Sequence, residues 1–68
     1  MLTDYQLEHI ERLLAGLGEV KNRLKERPAT FVGQVEENFD KFGANLRLST
    51  KQVSWLESLY TEHVGPLD

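Results

Sequence analysis

Residues 46–60 read LRLSTKQVSWLESLY, and this stretch holds the best-punctuated helix start in the chain together with its single tryptophan. Ser49 is a good N-cap, because its hydroxyl can accept a hydrogen bond from a first-turn backbone N–H that has no partner inside the helix. Gln52, three residues on, can reach back to the Ser49 amide and complete a capping box, while Leu48 before the cap can pack on Val53 after it. At about 100° per residue, Val53, Leu56, Leu59, Tyr60 and Val64 share one side, with Trp55 and His63 on its border; Ser54, Glu57, Ser58, Thr61 and Glu62 take the other side. A helix over 50–63 follows. Trp55 falls on the seam between core and solvent, where a large ring with one polar N–H is well placed either to lid the core or to anchor a partner.

The same punctuation opens the chain. Thr3 is a cap, Gln6 completes its box, and Leu2 and Leu7 form the staple. Leu7, Ile10, Leu13, Leu14, Leu17, Val20 and Leu24 then recur at steps of three and four, which predicts a long amphipathic helix over about 4–26. Glu8 with Arg12 and Glu19 with Arg23 have the i, i+4 spacing of favourable surface pairs. Gly16 and Gly18 each cost about 1 kcal/mol in a helix relative to alanine. Close approach by another helix is the expected return, with a kink as the alternative.

Pro28 marks the break after this helix, since proline is tolerated only in a helix's first turn and restricts the residue before it. Thr30 is the favoured cap of a second helix over about 29–42, though Pro28 in its first turn would start it slightly earlier, and Phe31, Val32, Val35, Phe39 and Phe42 form one narrow apolar face with the three phenylalanines on the same side. Gly43 is placed to end it in the left-handed conformation. In the connection 43–48, Leu46 and Leu48 alternate with Asn45 and Arg47, which points the leucines inward. Gly65-Pro66-Leu67-Asp68 cannot prolong the third helix and reads as a frayed tail. The expected architecture is one all-α domain over 1–68, a three-helix bundle built around the leucines of helix one and the phenylalanines of helix two.

Composition narrows the function. Sixty-eight residues make one small domain with a modest core, and without cysteine neither a disulfide nor a thiolate metal site can reinforce it. No apolar run reaches the roughly 20 residues of a membrane span, and the basic-then-apolar layout of a signal peptide is missing at the N-terminus. The sequence therefore reads as cytoplasmic. A net charge of −3 weighs against nucleic acid as the partner. Lys21, Arg23, Lys25 and Arg27 nevertheless cluster, in a place the helix dipole also favours for cations, and with Arg47 and Lys51 they are the candidate nucleic-acid contacts. A helix-turn-helix fits poorly, because the 43–48 link is long and the exposed start of helix three offers no arginine to read guanine.

Chemistry is sparse. His9 and His63 have no second ligand at helical metal-site spacing, the serines lack a histidine–acid constellation, and no phosphate-cradling glycine signature occurs. No catalytic, cofactor-binding or metal-binding residue is assigned, and no enzyme is expected.

One pattern is familiar. Phe31, Phe39 and Gly43, then Leu48-Ser49-Thr50-Lys51-Gln52, Trp55-Leu56 and Leu59-Tyr60 resemble a short "F…G.LS.KQ..WL..L" segment that recurs in small proteins of tailed bacteriophages and plasmids, some associated with DNA processing. The resemblance spans residues 31–60 and implies no catalytic residue. It implies a phage-type accessory protein that binds and inhibits or retunes a host protein machine, one acting on nucleic acid among the candidates. Trp55, Tyr60, Lys51 and Arg47 are the candidate partner-binding residues. The alternatives are a nucleic-acid-binding module and a homodimeric assembly unit, the latter sharing Trp55, Tyr60 and the Leu13, Leu17, Val20 and Leu24 side of helix one; monomer and homodimer are both open.

Overall fold

The computed structural model describes residues 2–66, and within them three α-helices follow one another: α1 (Asp4–Glu19), α2 (Glu26–Phe42) and α3 (Thr50–His63). The protein is an all-α three-helix bundle. Both capping boxes form as read. Thr3 Oγ1 accepts from the Gln6 amide at 3.1 Å while Gln6 Oε1 accepts from the Thr3 amide at 2.9 Å. Ser49 and Gln52 make the same exchange at 3.1 and 2.8 Å. Each box satisfies a donor at a helix start that is otherwise left to water.

Helix one is shorter than expected. It stops at Glu19, and residues 21–23 form a single 3-10 turn, with the Arg23 amide bonded to Val20 O and the Leu24 amide to Lys21 O. Two causes act together. Gly16 and Gly18 weaken the last turn of α1. Pro28, which lacks an N–H, sits inside the first turn of α2, so that helix starts at Glu26 and the chain must reverse between 20 and 25. The first intrahelical bond of α2 runs from the Ala29 amide to Lys25 O at 2.9 Å, past the proline. Thr30 is accordingly not a cap but an exposed residue within the helix, and Lys25 stands at the cap position without a side-chain bond. The Glu19/Arg23 pair straddles the helix end rather than sharing a helical face. Despite the break, Leu24 is still buried.

α1 is the central element: it packs on α3 most extensively and on α2 next, whereas α2 and α3 meet only sparsely. Its Ile10, Leu13, Leu14 and Leu17 join Leu24, Val32, Val35, Leu56 and Leu59 in one apolar cluster. The part of α2 that is fully covered is its valines. Phe31 and Phe39 pack at the edge of the cluster and Phe42 is exposed, so the expected phenylalanine core is corrected to a leucine and valine core with a phenylalanine rim. Smaller side chains let α2 lie close to α1. On α3, Leu56 and Leu59 are buried, Val53 and Tyr60 are half-buried, and Val64 lies outside the core as an exposed residue past the helix end.

The connections behave as their residues suggest. Gly43 ends α2 with φ 53°, a conformation in which a side chain would be strained. Leu46 is buried and Leu48 packs against the cluster. The Leu2 amide donates to Ala44 O at 2.8 Å, tying the start of the chain to the turn after α2. Of the expected frayed tail, Gly65 is held by a 3.0 Å bond from its amide to Tyr60 O; Leu67 and Asp68 lie outside the described residues. The closest approach is at Gly16, where an added Cβ would stand 2.5 Å from the Tyr60 ring of α3; at Gly18, the glycine beside the apolar stripe, it would meet only the Glu36 carboxylate of α2, at 3.1 Å.

Two stability outcomes follow from these contacts, both measurable by urea unfolding followed by circular dichroism. Gly16→Ala should destabilise by about 1–2 kcal/mol despite its better helix propensity, and should not destabilise a Tyr60→Ala background, since the methyl then has room. Ser49→Ala should cost about 1 kcal/mol, whereas Thr30→Ala should be neutral or slightly stabilising, the reverse of what a cap at Thr30 would give.

Candidate functional site

The sparse meeting of α2 and α3 leaves a seam, and aromatic rings close it. Phe31 of α2 and Trp55 of α3 stack with centroids 4.1 Å apart and planes 17° from parallel. Trp55 nonetheless keeps 42% of its surface exposed, and no protein acceptor takes its indole N–H among the described residues. Buried tryptophans normally find such a partner, whereas a ring this exposed can leave its N–H to water. Lys51 is exposed one turn before Trp55 on the same side of α3.

Along α2 the exposed line continues. Asn38 and Phe42 lie one turn apart, and with Asn45, Leu46 and Arg47 they line an open groove of about 340 Å³. Phe42 is 49% exposed, and the Lys41 ammonium lies 5.7 Å from its ring centroid, a cation–π distance. Three of the four expected contact residues, Trp55, Lys51 and Arg47, thus lie along the α2–α3 side. Phe31 and Phe42 complete it. Both were read as core from their apolar periodicity; the signal against Phe42 was its place in the last turn before Gly43, where a helix runs out of neighbours to cover it.

Tyr60 does not join them. It is about 140° around α3 from Trp55 and packs, half-buried, on α1 over Gly16. Leu13, Leu17 and Leu24 are buried inside the single chain and Val20 is half-buried. Of the surface expected for a symmetric dimer, the three leucines are covered within the chain, whereas Trp55 stays exposed.

The basic residues Lys21, Arg23, Lys25 and Arg27 occupy the α1–α2 connection and the first turn of α2. Lys21 is engaged by an ion pair with Glu36. Arg47 follows the opposite end of α2, whose 17 residues span about 25 Å of axis, so the six cations do not form one compact phosphate site.

A second groove, also about 340 Å³, runs between α1 and α3, lined by Leu2, Ile10, Leu48 and Val53 below and by Tyr5, His9 and Glu57 at its edges. Across it His9 Nε2 donates to Glu57 Oε2 at 2.9 Å, and Tyr5, 78% exposed, stacks its ring near that of His9. Neither histidine belongs to a metal-capable cluster among the described residues. Among them, too, no helix is long and apolar enough to cross a membrane.

The single tryptophan makes the seam directly observable. Phe31→Ala should shift Trp55 emission to longer wavelength as the ring loses its stacking partner to water, and should lower stability by roughly 1–2 kcal/mol while leaving the helical signal intact. Unchanged emission would place Trp55 away from Phe31 in solution.

No family model, curated protein or solved structure matches the chain.

Proposed function

We propose that the protein is a non-enzymatic cytoplasmic accessory protein of phage type, which binds a host protein machine through the α2–α3 face and inhibits or retunes it. The observation that carries this reading is Trp55: stacked on Phe31 at 4.1 Å, held in place by a capped helix, and still 42% exposed. A large ring whose position is already fixed loses little conformational freedom on binding, which is why tryptophans dominate the energetics of protein interfaces. Phe42 and the flanking lysines and arginine extend the face to a size that one helix of a partner could cover. The phage assignment rests on the resemblance of residues 31–60, whose Trp55, Lys51 and Phe31 fall on this face. A phosphate-binding role for residues 21–27 draws less support, since Lys21 is already neutralised by Glu36.

Affinity capture from a bacterial lysate at physiological salt tests the proposal. The wild-type chain should retain one stoichiometric protein that a Trp55→Ala chain, still helical by circular dichroism, releases. Equal capture by both chains, or no capture by the wild type, would count against it.

A further inference from the structure

The charge on the α2–α3 face runs against the charge of the whole protein. At about 100° per residue, Arg27, Phe31, Gln34, Asn38 and Phe42 form a line along α2, and the acids of that helix, Glu26, Glu36, Glu37 and Asp40, all stand roughly 120° or more away from Phe31. Two of those acids are accounted for elsewhere: Glu36 and Asp40 face α1 in the groove they share with Glu11 and Leu14. Arg27 precedes Phe31 by one turn and Lys51 precedes Trp55 by one turn, so each ring of the stack has a cation at the neighbouring i, i+4 position of its helix. At the other end Phe42 lies under Lys41 and shares its groove with Arg47. Arg27, Lys41, Arg47 and Lys51 are half of the chain's eight lysines and arginines. All four are exposed, and none is paired with a carboxylate among the described residues. Glu62, two turns beyond Trp55 on the same side of α3, bounds the patch.

A protein with net charge −3 that gathers unpaired cations around its exposed aromatic rings presents a locally positive, apolar-centred surface. We infer that this face docks an acidic amphipathic protein segment, a helix whose apolar residues seat on Trp55, Phe31 and Phe42 and whose carboxylates meet Arg27, Lys41, Arg47 and Lys51. The inference rests on the α2–α3 face being a protein-binding surface, and adds the chemistry of the partner. Complementary charge steers such a segment to the patch and rejects a basic one, because like charges brought together at the rim are penalised. The line from Arg27 to Phe42 covers about four turns of α2, more than the roughly two turns over which a partner helix presents anchors at i, i+3, i+4 and i+7. Single-stranded nucleic acid is the competing polyanion; Phe31 covers one face of the Trp55 ring, which leaves at most the other for a base, and the net charge of −3 works against a polyanion that has no apolar face to offer Phe42.

Three labelled probes separate the possibilities by fluorescence anisotropy at low and moderate salt. They are a helical peptide of about 20 residues with leucine and phenylalanine on one face and glutamate elsewhere, the same peptide with lysine replacing glutamate, and an oligothymidine of similar length. The glutamate peptide should bind, weaken with salt and perturb Trp55 emission; the lysine peptide should not bind. Arg47→Glu with Lys51→Glu should weaken the glutamate peptide at least about tenfold, while Arg23→Glu with Lys25→Glu, on the α1–α2 connection, should change it by less than about twofold. Failure of the glutamate peptide to bind at low salt, equal binding of the lysine peptide, equal weakening by both reversals, or tighter binding of oligothymidine would each overturn the inference. The lysate experiment keeps the two levels apart. A partner lost by Trp55→Ala but retained by Arg47→Glu with Lys51→Glu leaves the binding role standing and removes the acidic partner, whereas a wild-type column that retains nothing removes the binding role itself.

Discussion

One helix serves two partners at once, and the rest of the structure depends on it. Leu13 and Leu17 of α1 are fully buried because α3 covers one flank of the helix and α2 the other. In a chain of 68 residues there is no second layer to share this work, so every apolar residue of α1 that points inward is committed. Gly16 is the point of closest approach in that arrangement, and it lets the Tyr60 ring lie against the backbone of α1. What α1 cannot do is also close the seam between its two partners. That task falls to Phe31 and Trp55, and the aromatic surface of the protein is a by-product of how few helices it has.

Most of the architecture can be read from the sequence because it is written in local chemistry. The Thr3/Gln6 and Ser49/Gln52 boxes and the glycine at 43 each act within a few residues, and all three are where the pattern puts them. The end of α1 is not local in that sense. Leucine spacing continues through Val20 and Leu24, and a 3-10 turn can keep the same residues inward, so periodicity alone cannot distinguish it from more α-helix. The decisive constraint is Pro28, which can sit inside the first turn of α2 as readily as before it. The fate of the phenylalanines was hidden for another reason: an apolar face on α2 is seen by α1 only where α1 is present, and α1 meets it at the valines. The candidate surface was half legible. Trp55, Lys51 and Arg47 stand out by residue type, whereas Phe31 reaches the rim because α2 and α3 diverge, and Phe42 is exposed in the last turn before Gly43.

Charge is distributed by the same geometry. Acids gather where α1 and α2 run side by side, with Glu11, Glu36 and Asp40 around one groove, and Lys21 offsets part of that accumulation. Four of the eight cations, Arg27, Lys41, Arg47 and Lys51, lie along the α2–α3 side instead. An overall acidic balance therefore says little about the character of any one side of this molecule, and a surface with the opposite sign to the net charge can coexist with good solubility.

The bond from the Leu2 amide to Ala44 O joins the start of the chain to the turn that precedes α3. Together with the α1–α3 packing, it makes the contacts most distant in sequence also the most extensive ones. The α1–α2 pair alone leaves one flank of the leucine stripe bare, so closure of the core depends on a contact between helices far apart in sequence. The capping box at the start of α3 fixes where the helix that makes this contact begins.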